Sequence, residues 1–549
     1  MVVRTSKKAY FPYSRNNDIS YSLSQVCIPP QATPDPPPPT VPGGFPPTTV
    51  SSEVKDGLSE GSSLPETGLT QKQITEQVRR MSFADPPAPM IELLPDDILL
   101  DVFTTYVNDE EQIQQWPTLV HVCRRWRNLI LASPGRLGLR LLCTAGMPLS
   151  DTLRVWPTLP IFIFGPDDPA SLVEGVSDVV ASLYHCERVH QVALPDVPIC
   201  ALEKLAAAMR KPFPALERLE LGANPDTAPA PSLPHEFLGG SAPSLQLLRL
   251  IGIPFPSLET TLPSFSQLVE LSLKDIPHSG YFPPEAIVTG IAKLSRLQKL
   301  RLHFRSPLSR PPQEDRCLPP PTRTVLPALS LLDFRGVSEY LEDLVAQIDA
   351  PVLEEIRTVF FHQLVFDTPQ LLQFLNRTNV LGTSNRADVL LDGDFARVSL
   401  YQQDQTVERR TLVLSIKSGA SDWQLWSLAQ VCSAFLPPLS TLECLYIRQG
   451  SVQPQWDDDM ENAQWLELLK PFAASKNLYL HKELVPRVGR ALQELAGEAV
   501  VPLPEVQDIF TLAPLPSETV REAFGEFVSQ RELSGRPVAV HAGWSRGML

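Results

Sequence analysis

Leu216-Glu217-Arg218-Leu219-Glu220-Leu221 places leucine at its first, fourth and sixth positions, with charged residues between. In an extended chain this spacing sends the fourth and sixth side chains to one face and their neighbours to the other. The pattern returns at Leu245/Leu248/Leu250, Leu268/Leu271/Leu273 and Leu297/Leu300/Leu302, then at Leu329/Leu332/Phe334 and Leu442/Leu445/Ile447. Leu353/Ile356/Thr358 is a degenerate copy. Neighbouring copies lie roughly 23 to 32 residues apart, the period of a repeat array. Between them, residues 172–184, 202–209, 285–294, 339–348, 370–375 and 423–435 carry apolar side chains at helical spacing, each segment ending near Pro, Gly or Asn. One strand and one helix cannot bury their own apolar faces, so each unit needs neighbours on both sides. The expected fold is therefore α/β, a curved parallel strand–helix stack.

These units are similar to leucine-rich repeats, and the similarity implies an irregular β/α solenoid over residues 138–549. The intervening strand positions then face outward on the sheet, where a partner would be read. They offer charges of both signs, and the candidates for binding a protein target are Arg218, Glu220, Arg249, Glu270, Lys274, Lys299, Arg301 and His303. For any one of them, a solvated sheet face is the plainer reading. A Pro-rich insertion from Pro307 to Pro327 interrupts the array, and Asp392-Gly393-Asp394 reads as a turn. Glu518 to Leu533, followed by Pro537-Val538-Ala539-Val540-His541, reads as a closing helix and strand that cap the stack.

Upstream the material changes. Residues 1–88 hold runs such as Pro36-Pro37-Pro38-Pro39, and their composition predicts a disordered Pro-rich arm. From Leu94 to Leu137 two amphipathic helices are expected. The first has Pro95 at its opening position and Asp96 and Asp97 in its first turn, where the helix dipole favours negative charge. Leu94, Ile98 and Val102 follow one another at i, i+4, with Leu99 and Phe103 one step round. The second is expected to begin near Pro117 and to carry Leu119, Val122, Cys123, Trp126 and Ile130 on one stripe.

A Leu-Pro start, an acidic pair, and Val122-Cys123-Arg124-Arg125-Trp126-Arg127 about twenty residues on resemble an F-box, here over residues 89–137. With Trp116, Ala132-Ser133-Pro134, Trp156-Pro157 and Leu533-Ser534-Gly535-Arg536-Pro537-Val538, the chain is also similar to the large set of F-box proteins of mushroom-forming fungi. The Leu-Trp usual after the second helix is replaced by Leu137-Gly138-Leu139. The resemblance implies a non-catalytic adaptor of a cullin–RING ubiquitin ligase. Its F-box would bind the Skp adaptor, and through it a cullin, by way of Leu94, Pro95, Ile98, Leu99, Val102, Phe103, Leu119, Val122, Cys123, Trp126 and Ile130. The repeats would hold a protein substrate. The alternative is a leucine-rich-repeat interaction scaffold whose hairpin is only an end cap, with no ligase role.

Composition narrows the remaining classes. A net charge of −15 argues against nucleic acid and anionic membranes as partners. Eight scattered cysteines suggest neither disulfides nor zinc, no apolar run is long enough to span a bilayer, and a reduced cytoplasmic or nuclear setting is expected. No phosphate-cradling glycine loop or Gly-x-Ser-x-Gly elbow occurs, and His235-Glu236 lacks a second histidine because position 239 is Gly. Neither catalytic residues, nor a metal, nor any other cofactor is expected. A metal-free enzyme is the weakest of the readings.

Overall fold

The computed structural model describes residues 90–544 except 108–115, 145–152, 154–155, 157–158, 167, 224–229, 256–257, 312–321, 362–365, 367, 379, 382–383, 394, 404–407, 418–423, 437–438, 451–461, 496–502 and 513–516. The arm expected over 1–88 and the middle of the Pro-rich insertion lie outside the described residues.

The chain is mixed α/β, with a large, mostly parallel sheet. Four helices come first: α1 (Asp96–Val107), α2 (Trp116–Leu119), α3 (Arg124–Ala132) and α4 (Pro134–Leu137). The strands then begin with β1 (Leu141–Cys143), β2 (Ile161–Phe164), β3 (Val189–Val197), β4 (Arg218–Ala223), β5 (Leu247–Ile251), β6 (Glu270–Ile276) and β7 (Lys299–Phe304). Next come β8 (Thr324–Val325), β9 (Leu331–Gly336), β10 (Ile348–Asp349) and β11 (Glu355–Phe361). The series ends with β12 (Arg386–Leu391), β13 (Phe395–Gln403), β14 (Glu408–Lys417), β15 (Cys444–Gln449), β16 (Asn477–His481), β17 (Asp508–Leu512) and β18 (Ala539–Trp544). All but β8 and β10, which pair with each other, belong to one sheet of 16 strands.

Strand follows strand in sequence order as far as β11, every pair parallel. The order then becomes β11-β14-β13-β12-β15, and β13 runs antiparallel to both its neighbours. Two hairpins therefore fill the gap that the crossover from β11 to β12 leaves open, and the expected turn at Asp392-Gly393 lies between β12 and β13. The leucine spacing gives no notice of these hairpins. The expected closing pair is a helix, Ser517–Leu533, and β18 at the sheet edge.

Register explains the leucine pattern. Leu219, Leu248, Leu271, Leu300, Leu332 and Ile356 stand opposite one another across successive strands and are fully buried. Each contributes about 1.5–3 kcal/mol of apolar burial. Helices cover this inner face. On α9 (Ser338–Gln347, counting α5 to α8 as Pro169–Leu183, Ile199–Ala208, Leu258–Thr261 and Pro284–Ile291), the Tyr340 ring lies 4.6 Å from Phe304 and 5.8 Å from Phe334. Neighbouring helices are also coupled through a cap. The nearly buried Glu342 carboxylate of α9 accepts the N–H groups of Gln370 (2.8 Å) and Leu371 (2.7 Å) in the first turn of α10 (Pro369–Arg377). Those donors have no partner inside their own helix, and the helix dipole favours a carboxylate there.

Two details of the front depart from expectation. Helix α1 begins one residue later than predicted: the Leu99 N–H donates to the Pro95 carbonyl (3.1 Å), so Pro95 caps the helix and Asp96 opens it. The single second helix is broken into α2 and α3 by a turn at residues 120–122. Cys123 is not on the stripe but is the N-cap of α3, its Sγ accepting the Trp126 N–H at 3.5 Å. No helix among the described residues is long and apolar enough to cross a membrane.

Candidate interaction surfaces

Charge pins α3 and α4 to α1. Arg125 of α3 pairs with Asp96 (2.7 Å) and donates to the Leu94 carbonyl, while Arg136 of α4 reaches Asp97 (3.3 Å) and Asp101 (2.9 Å). Gly138 then ends α4 with φ +61°, its N–H returning to the Pro134 carbonyl, a conformation that favours glycine. Trp116 ties the front to the sheet: its indole N–H donates to the Arg140 carbonyl (3.0 Å), and its ring meets Trp156 edge to face at 4.9 Å.

The front is apolar on two sides. Leu99, Phe103, Leu119 and Ile130 are buried within the chain's own core. Ile98, Val102 and Val122 are 46%, 49% and 59% exposed, and Pro95 and Cys123 are exposed with them. Leu94 and Trp126 lie half-buried between the two sets, with the Trp126 ring edge-on to Phe103 at 4.7 Å. Ile98 and Val102 are one helical turn apart and so form a single outward strip. Sequence reasoning missed Leu93, 75% exposed just before Leu94, and Leu131, exposed on α3. The Ile91-Glu92-Leu93 lead-in was the available signal for the first. Nothing in the helical spacing separates Leu131 from its buried neighbour Ile130.

The outer face of the sheet brings the predicted target-binding side chains together. One row of paired positions reads Glu220, Arg249, Ser272, Arg301, Asp333 and Arg357 across β4 to β11. Arg249 donates to Glu220 (3.1 Å) and Glu270 (3.2 Å). Arg301 donates to Glu270 and lies 3.6 Å from Asp333, which is 2.9 Å from His303 Nε2. Lys299 completes the hub at 3.9 Å from Glu270. Burial acts to raise the Glu270 carboxyl, but Arg301, Arg249 and Lys299 together override it and hold the group below its ordinary value. Asp333 is held low in the same way, with its hydrogen bond to His303 the strongest opponent of burial. Lys274 is pushed down by burial and by Arg249 and Arg301, and has no ion-pair partner among the described residues. Arg218 stands exposed at the margin.

Continued across β12 to β18, the same face changes chemistry. The row passes through Val413, Ser399 and Asp388 to Tyr446, Tyr479, Phe510 and His541. The last four rings stack with centroids 4.2, 4.7 and 4.6 Å apart. The nearest cation, Arg386, lies over the Tyr446 ring at 4.1 Å. Leucine spacing could not reveal this stack, because its members align only once the register of four strands is known.

No family model matches the chain, and no curated protein matches its sequence. Among the described residues no three His, Cys, Asp or Glu side chains are grouped to hold a metal ion. What the two surfaces offer is contact: an apolar strip on a charge-pinned helical front, and a broad polar and aromatic sheet face behind it.

Proposed function

We propose that the chain is an F-box-type adaptor of a cullin–RING ubiquitin ligase. Helices α1 to α4 bind the Skp adaptor, the strand–helix array is of leucine-rich-repeat type, and its outer face presents a protein target. The chain performs no chemistry of its own in this reading. It raises the effective concentration of a target lysine beside the ligase's charged partner.

The observation that carries the reading is the division of the front into two apolar sides. Leu99, Phe103 and Ile130 satisfy the chain's own core, whereas Ile98, Val102 and Val122 stay in water. An end cap has no use for the second set. A docking helix does, because each such side chain buried by a partner contributes about 1.5–3 kcal/mol before association costs. The test is capture of the Skp adaptor by the full chain. Ile98→Asp with Val102→Asp is expected to abolish it at a small cost to folding, since both side chains are about half exposed, and circular dichroism checks that the variant is folded. Val122→Asp and Trp126→Ala should weaken it, the latter with circular dichroism to show that the Phe103 contact is dispensable for the fold. Undiminished capture by the folded double variant would sink the reading.

One observation favours the scaffold reading. Trp116 joins the front to the first strands through Arg140 and Trp156, as a cap would. The two roles are compatible, and adaptor capture decides whether capping is all the front does.

A further inference from the structure

Between the ion pairs of β4–β9 and the rings of β15–β18 lies a zone that belongs to neither. Arg397, Arg410 and Arg448 reach the outer face there, with Arg386 beside them. Arg386 and Arg410 flank one ring, each guanidinium carbon 5.4 Å from the centroid of Tyr401, and Arg410 donates to the Tyr401 hydroxyl (3.3 Å). Arg448 is held by the buried carboxylate of Asp388, its Nε 2.9 Å from Oδ1. Of Arg397, Arg410 and Arg448, only Arg448 has a carboxylate partner among the described residues. Arg397, half-buried, has neither hydrogen bond nor ion pair among them, and lies 5.5 Å over the Phe395 ring. The contrast with Arg249, clasped by two glutamates on the same face, is direct.

Half-buried guanidiniums crowded together are costly unless an anion neutralises them. Burial lowers the pKa of Arg397, and Arg410 and, less strongly, Arg448 lower it further, only partly opposed by Tyr401 and Asp388. Arginine presents a planar fork suited to carboxylate or phosphate oxygens, and Tyr401 holds two of these forks in place. The zone is small and has Asp388 at its heart. That suits a short cluster of negative charge better than a long polyanion, which the net charge of −15 would repel.

We propose that this patch, centred on Arg397 and Arg410, binds a short acidic segment of a protein partner, its carboxylates or phosphates bridging the guanidiniums. The proposal rests on the target-presenting role assigned above to the outer face. It names the chemistry of what that face selects.

The test uses the full chain and fluorescein-labelled dodecapeptides: one with four consecutive glutamates, its phosphoserine counterpart, and a lysine counterpart. Fluorescence anisotropy should show the two anionic peptides binding and the lysine peptide not, with affinity falling as salt rises. Arg397→Gln with Arg410→Gln should weaken the anionic peptides roughly tenfold, the scale of losing two charge-assisted contacts. Arg397→Lys with Arg410→Lys should keep most of the affinity, and Lys204→Gln with Lys293→Gln, two exposed lysines elsewhere, should leave it unchanged. Asp388→Asn, which removes the competing carboxylate, should tighten binding roughly two- to fivefold. A gain cannot come from unfolding, so this variant keeps the test decisive even if the glutamine pair folds poorly. Undiminished binding by a folded glutamine pair, a loss in a folded Asp388→Asn variant, or tighter binding of an oligothymidylate than of either anionic peptide would each overturn the proposal. Adaptor capture is measured alongside. Capture intact with no acidic-peptide effect removes this inference alone, and peptide binding intact without adaptor capture removes the ligase reading alone.

Discussion

The outer face is built on one register but from two materials. Over β4–β9 its row is Glu220, Arg249, Ser272, Arg301 and Asp333; over β15–β18 it is Tyr446, Tyr479, Phe510 and His541. Beneath the first half the rings are inside: Phe304, Phe334, Phe360 and Tyr340 form the core under the ion pairs. The inner row of leucine positions is aliphatic in both halves, Leu271, Leu300 and Leu332 in the first and Leu445, Leu478 and Ile509 in the second. The same strand geometry is thus held from outside by charge in one half and by stacking in the other. Charge answers to pH and salt, whereas ring stacking itself does not; in the second half only the His541–Asp508 pair at the end of the stack (2.7 Å) carries charge within the row's own strands β17 and β18. The halves should come apart under conditions that touch only one of them.

The largest effect is expected at Glu270, which holds three cations. Glu270→Ala takes one of two carboxylates from each of Arg249 and Arg301, leaving Glu220 and Asp333, on a face where both cations are less than a third exposed. The loss should be about 1–3 kcal/mol, below that of a stranded buried charge because each cation keeps a second carboxylate and water still reaches the rim. Urea unfolding measures the loss, and hydrogen exchange should place it in β5–β7, leaving β16–β18 protected. Uniform loosening of all strands would show that the two halves do not behave separately. Acid probes the same hub without a mutation. Glu270 and Asp333 are both held below their ordinary values of 4.5 and 3.8 in the folded chain. Their stabilisation is therefore complete above those values and is lost as the pH falls through the lower folded ones. Exchange followed from pH 7 downward, with intrinsic rates corrected, should show β5–β9 steady to about pH 5 and then loosening before β15–β18.

At the middle of the stack, Tyr479→Ala removes a ring from between two others. A half-buried ring in such a place is worth about 1–2 kcal/mol, including the gain that aromatic pairs add beyond area. The loss should be the same in 0.05 M and 1 M sodium chloride, whereas that of Glu270→Ala should shrink with salt. Equal salt dependence in the two variants would erase the distinction.

The first half was legible in the sequence and the second only in part, for one physical reason. Leu219, Leu221 and their counterparts repeat a local rule, in which inward positions alternate along a strand, so the strands and their buried side chains could be read residue by residue. The alternation of charge at Glu220, Arg249 and Glu270 was visible too. That these charges satisfy one another depends on the register between strands, which no single stretch contains. Likewise β12–β14 follow a hairpin logic, with Arg386, Asp388, Arg397 and Arg410 brought together only when β13 turns back. At the front, helical spacing found the apolar residues but not their sides. Ile98 and Leu99 look equivalent in sequence, and only the packing of α3 and α4 on α1 decides that one is exposed and the other buried. The break at Cys123 was hidden because a cysteine at an N-cap looks like one more apolar position on the stripe.

The smallest effect concerns single hydroxyls and should differ in sign between the halves. Tyr340, fully buried under the ion pairs, has a hydroxyl with no hydrogen-bond partner among the described residues, and burial pushes its pKa well above 10. A buried donor without a partner gives up its bonds to water and gains nothing in return. Tyr340→Phe keeps the ring on Phe304 and Phe334 and deletes only that penalty, so it should be neutral or stabilising by up to about 1 kcal/mol. On the outer stack the Tyr446 and Tyr479 rings lie face to face at 4.2 Å, and Tyr479 is only half-buried. Tyr479→Phe removes a hydroxyl from a face half open to water and should cost up to about 0.5 kcal/mol. Thermal unfolding of the two variants side by side reads the difference directly, since each removes one oxygen and leaves its ring in place. Were Tyr340→Phe the more destabilising, the inner ring would depend on polar bonding, and the contrast between a dry aromatic core and a water-facing aromatic surface would fail.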